Sequence, residues 1–204
     1  MTLVAAAPNA RIAAPGRHAQ SREEIASSLG MFIALGAWTM MFAALFFVYL
    51  GARARFEVWP PPGVPHLPVA LPALNTAILL ASSGVLAFAV RELGRGRRRL
   101  LTPLLGLGMT LGVAFLGLQL VVWRDLWLAG LLPSSGLYGS VFYGLTGLHA
   151  LHVLAGLVVL LVVFGRAYGG AYDAEDAYKV RLVAWFWHFV DVVWVLMFLS
   201  IYVL

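Results

Sequence analysis

Four stretches of the chain carry no Asp, Glu, Lys or Arg: residues 25–52, 58–90, 100–123 and 126–165, windows of 28, 33, 24 and 40 residues. A helix rises 1.5 Å per residue, so about 20 apolar residues cross a hydrocarbon core about 30 Å thick. Each window holds one crossing. A fifth segment, 183–204, keeps the same apolar character around a single acid, Asp191. The chain therefore reads as all-α, a polytopic membrane bundle. Its five transmembrane helices are expected near 27–50, 69–90, 100–123, 139–165 and 183–204. Charged residues make up 11% of the chain, against about 25% in a soluble domain. A soluble globular fold is excluded.

Residues 1–24 are expected to form a flexible cytoplasmic tail, and 25–204 a single five-helix domain. The start, MTLVAAAPNARIAAPGRHAQ, lacks the apolar core of a signal peptide. Ser21 and Glu24 fit a capping box ahead of the first span. Between spans one and two, Trp59-Pro60-Pro61-Pro62-Gly63-Val64-Pro65 cannot be helical and is expected to run extended along the membrane surface. Pro133-Ser134-Ser135-Gly136 marks the turn before span four.

Lys and Arg decide the orientation. With the N-terminus inside, Arg11, Arg17, Arg22, Arg91, Arg95, Arg97, Arg98, Arg99, Arg166, Lys179 and Arg181 are internal, and only Arg53, Arg55 and Arg124 are external. Eleven against three puts the N-terminus in the cytoplasm and the C-terminus outside. This predicts an integral protein of a bacterial inner (plasma) membrane. The net charge of +5 is then a topology signal, and no nucleic-acid partner is expected. The chain has no cysteine, which removes iron–sulfur, Cys-ligated copper, Cys-based zinc and thiol chemistry.

Polar residues inside spans are functional candidates by default. Span four holds His149 and His152, and span five holds His188 and Asp191, each pair three residues apart and on one helix face. Counting at 1.5 Å per residue puts His152 about 10 Å from the inner surface and Asp191 about 12 Å. A shared polar cluster of His149, His152, His188 and Asp191 between helices four and five is expected. Two histidines on one face cannot clamp a haem between them, and one intramembrane acid is too few for a zinc or di-iron site. No catalytic and no metal-binding residue is assigned. Two readings remain: a hydrogen-bonded clamp joining two helices, and a proton relay. Arg181, near the inner end of span five, is a candidate contact for a lipid phosphate. Gly108 and Gly112 form a GxxxG in span three. A small transporter would show polar residues on several helices or broken spans, and a haem-carrying electron-transfer protein would bring a Soret band.

Span five reads Trp185-Phe186-Trp187-His188-Phe189-Val190-Asp191-Val192-Val193-Trp194 and closes on Ser200-Ile201-Tyr202. This resembles the WHFVDVVW…SIY signature of subunit III of the haem–copper terminal oxidases. Further stretches are similar to the same family in the same order. They are Trp59-Pro60-Pro61-Pro62-Gly63, Leu74-Asn75-Thr76 with Leu79-Leu80-Ala81-Ser82-Ser83, Tyr138-Gly139-Ser140-Val141-Phe142 and Thr146-Gly147-Leu148-His149-Ala150-Leu151-His152-Val153. Trp59, Pro60, Asn75, Trp187 and Trp194 are the family-motif residues. The resemblance covers about residues 28–204 and corresponds to the last five spans of seven-span members.

The resemblance implies a non-catalytic subunit that binds no metal, packs directly on the catalytic subunit I and stabilises it. Haem and copper would sit in partner subunits, with subunit II and cytochrome c or another electron donor completing the complex. Membrane phospholipid is an implied ligand. The complex would reduce oxygen to water and translocate protons. A quinol oxidase subunit III or a nitric-oxide-reductase accessory protein is the alternative. Trp38 stands where the family's first-span Glu would fall, and Val122 where a Glu follows Gln119 in span three. Asp191 is then the only acid within the spans.

Overall fold

The computed structural model describes residues 17–62, 64–65 and 67–203, with side chains from Arg22 onward. It contains five long helices: α1 (Arg17–Arg53), α2 (Ala70–Gly94), α3 (Leu101–Leu128), α4 (Gly136–Tyr168) and α5 (Ala177–Phe198), the last running into a π-helical turn over Leu199–Val203. All five are long and apolar enough to cross a membrane. Pro72 and Pro103 fall in the first turns of α2 and α3, where a missing N–H costs nothing. The expected bundle is present, and each helix runs past its uncharged stretch at one end or both, into residues that carry charge.

Two local expectations differ from the structure. α1 begins at Arg17, so 17–24 are helical rather than tail, and Ser21 lies within the helix instead of capping it. Residues 1–16 and the Ser21 side chain lie outside the described residues. The Trp59–Pro65 segment is not helical, as expected, but 57–60 bend, and Trp59 turns inward. Its indole packs on Tyr138 at 5.0 Å and edge-on to Tyr49 at 5.7 Å, and its Nε1–H donates to the Tyr49 hydroxyl at 3.2 Å. Burying a large aromatic ring that keeps its hydrogen bond outweighs the solvation of an extended backbone.

Helices α2, α3, α4 and α5 form a ring in which each packs on the next and α5 closes on α2, while α1 lies across the α4–α5 seam and is the most exposed of the five. The core is filled by large rings from α5 against small residues elsewhere. Trp187 and Trp194 are fully buried. The Trp187 indole is seated between Gly112 of α3 and Gly156 of α4, where added Cβ atoms would lie 2.8–2.9 Å from it. Gly108, the other half of the GxxxG, instead admits Leu86 of α2, and the Ser82 hydroxyl donates to its carbonyl at 2.8 Å. Close approach of backbones through glycine is the usual means of packing helices in lipid.

The α2–α3 turn is pinned by Glu92. Gly96, at φ +79°, lets the N–H groups of Arg97 and Gly96 return to the Glu92 and Leu93 carbonyls, the glycine-stopped helix end that L side chains resist. The buried Glu92 carboxylate then receives Arg95 at 2.8 Å and Arg97 at 2.7 Å. Two of the arginines read from sequence as topology signals thus also hold the turn.

Candidate functional site

The polar groups of the spans divide between interfaces according to the direction in which each helix position points. On α5, Asp191 and His188 face α2. The His188 Nδ1 is hydrogen-bonded to the Ser83 hydroxyl. Asp191 is 3% exposed and shares a recess with Ser83 and His188. Ser83 also acts on the carboxyl, but neither carboxyl oxygen has a partner at hydrogen-bonding geometry. One turn further along α5, the Trp194 Nε1–H donates to Thr76 Oγ1 at 2.9 Å, and that hydroxyl donates to the Pro72 carbonyl at 2.8 Å. α2 and α5 are therefore stitched by two side-chain pairs.

On α4, His149 and His152 part company. His149 is buried against the core: its ring lies over Trp194 at 5.2 Å and edge-on to Phe115 at 5.9 Å, and neither ring nitrogen has a partner. His152 points to α1, with its ring 5.8 Å from Trp38 and 5.2 Å from Phe42. Its Nδ1–H donates to the Leu148 carbonyl at 2.8 Å, an assignment forced by the carbonyl's having no proton to give. The four groups expected in one α4–α5 cluster are thus distributed over three interfaces: α2–α5 for His188 and Asp191, the core for His149, and α1–α4 for His152. Residues three apart on a helix differ by about 60° in direction, enough at a corner of the bundle to face different neighbours. α5 also starts six residues earlier than expected, so Asp191 lies about 21 Å along the helix from Ala177.

The remaining sequence candidates are placed as follows. Asn75 is fully buried in α2, its amide without a partner. Trp59 and Pro60 sit half-buried in the α1–α2 loop. The Arg181 guanidinium, a candidate for lipid phosphate, is ion-paired to Glu24 of α1 and lies 5.6 Å over the Trp185 ring. Ser83 and Thr76, which anchor α5 to α2, were not singled out as site residues. The available signal was their type: hydroxyls within an apolar run act as glue between helices. Among the described residues, no group of three or more His, Cys, Asp or Glu is placed to hold a metal ion.

The arrangement joins helices, and it is assembled from the same stretches that carry the family resemblance. The profile of cytochrome c oxidase subunit III matches residues 11–204, all five helices included. The chain belongs to the cytochrome c oxidase subunit III family. Relatives include cytochrome c oxidase subunit 3 of Loxodonta africana, 35% identical over 179 residues, which cover 85% of this chain and 67% of that protein. The subunits of Hippopotamus amphibius and Bos taurus are each 39% identical over 145 residues, covering 71% of this chain and 54% of theirs. The chain thus spans between about half and two thirds of these subunit III proteins.

Proposed function

We propose that the chain is the non-catalytic membrane subunit III of a respiratory haem–copper oxidase, holding the catalytic subunit I in its working form. The observation that carries this reading is that the subunit III profile runs through every helix, while the family's aromatic and polar residues are used here in joining helices. Haem and copper belong to companion subunits, oxygen reduction and proton translocation take place there, and cytochrome c, the donor in the relatives' names, supplies electrons through subunit II. The N-terminus lies in the cytoplasm of a bacterium and the C-terminus outside its plasma membrane. The eleven-to-three excess of Lys and Arg on one side supports this, as do Arg95, Arg97, Arg98 and Arg166, which all cluster at one end of the bundle around Glu92 and Asp173 or near Tyr172.

Affinity purification of the tagged chain from its native membrane tests the reading. A haem-bearing oxidase core should co-purify, with a reduced-minus-oxidised difference spectrum, and the separated chain should be colourless. Stoichiometric iron or copper on the chain alone, or purification with no oxidase core, would overturn it.

A further inference from the structure

The recess that holds Asp191 is incomplete within this chain. It has a volume of about 320 Å³ and is lined by Leu80 and Ser83 of α2 and by His188, Asp191, Val192, Val195 and Leu196 of α5. Its rim is exposed: Leu80, Val192 and Leu196 are each about half accessible. Its floor is the reverse, an acid 3% exposed whose two oxygens have no partner at hydrogen-bonding geometry, the neighbouring Ser83 hydroxyl being bonded to His188. A carboxyl at mid-membrane is costly to bury. Among the described residues, no group meets its oxygens at hydrogen-bonding geometry to offset that cost.

Depth determines what can complete the site. Asp191 lies about 21 Å along the rod from Ala177 and about 18 Å from Val203, so lipid headgroups are out of reach on either side, and acyl chains carry no donor. A side chain on a neighbouring helix can reach it. The α2 side of the rim is also cut low: Ala77, Ala81, Gly84 and Ala87 are exposed, and a Cβ on Gly84 would meet nothing. Such a strip allows another helix to come close.

We propose that this recess on the α2–α5 flank docks a transmembrane helix of the catalytic subunit that inserts a hydrogen-bond-donating side chain against Asp191. The inference rests on the reading of the chain as an oxidase subunit. It adds which flank faces the catalytic subunit and which residue anchors it. The apolar rim excludes lipid and water from the bond, and the buried acid supplies orientation.

The absence of cysteine makes the test clean. Leu80→Cys and Val192→Cys at the rim, and Val158→Cys on the exposed outer side of α4, are labelled with a benzophenone maleimide in native membranes and irradiated. The rim positions should give adducts with the catalytic subunit, and Val158→Cys should not. Asp191→Leu should lower both adduct yield and retention of the chain by about three- to thirtyfold, the range of an interhelical hydrogen bond, with the isosteric Asp191→Asn between it and the parent. Adducts at 158 but not at the rim overturn the docking site while leaving the subunit assignment standing. Rim adducts and retention unchanged in both Asp191 variants overturn the role of the acid. Absence of any oxidase core from the purified parent chain defeats the subunit assignment itself.

Discussion

Trp187 is where the packing of the bundle can be put to the most direct quantitative test. Its indole is fully buried, with Gly156 on one side and Gly112 on the other. A methyl on Gly156 would fall 2.9 Å from two indole carbons and 3.0 Å from a Phe186 ring carbon; one on Gly112 would fall 2.8 Å from the far edge of the indole and 2.9 Å from Leu157. Carbon pairs rest at about 3.5–4.0 Å, so each methyl obliges the ring or a helix to give by about 0.6 Å. The indole cannot retreat from one glycine without pressing on the other. Overpacking of this kind costs about 1–3 kcal/mol, and the gain from replacing a helical glycine returns up to about 1 kcal/mol. Gly156→Ala should therefore destabilise the bundle by up to about 2 kcal/mol, and the Gly112→Ala/Gly156→Ala pair by more than the sum of its parts, since both act on one ring. Trp187→Phe should recover part of the Gly156→Ala loss by freeing space. Unfolding in mixed micelles by increasing SDS, followed by far-UV circular dichroism, measures each difference. Gly117→Ala, in open space, is the control. If Gly156→Ala and Gly117→Ala unfold at the same SDS fraction, the wedge does not hold the helices together.

Removing the Trp194–Thr76 bond by Trp194→Phe or Thr76→Val should cost about 0.5–1.5 kcal/mol in the same assay, with the double variant no worse than the weaker single; fully additive losses would show that the two do not act as a pair. Tyr49→Phe deletes a 2.8 Å bond to the Ser200 carbonyl and the acceptor for Trp59. Trypsin should then cut after the exposed Arg55 faster, and an unchanged rate would deny that Tyr49 seats the loop. Glu92→Gln strips Arg95 and Arg97 of their carboxylate, so trypsin should cut the α2–α3 turn several-fold faster; equal rates would mean the backbone turn alone holds the segment.

The number of crossings, their order and the side on which basic residues gather were legible in the sequence, because they depend only on local quantities: how long a run stays uncharged, and where Lys and Arg resume. The exclusion of soluble and thiol-based functions has the same one-dimensional basis, and the span-five motif pointed to the family without any contact being known. Which helix faces which was not legible. In lipid every face of a span is apolar, so no amphipathic stripe reveals the inward side. Depth along the axis can be counted, but direction around it cannot be assigned without the neighbours. That is why His152 and Asp191 were matched in depth and yet turned to different helices, why Ser83 and Thr76 emerged only as partners of α5, and why Arg181 was found against Glu24. Tertiary structure alone decided that, among the described residues, none meets the Asp191 carboxyl at hydrogen-bonding geometry, because a helix fixes each side chain's direction and only packing determines what stands in its path.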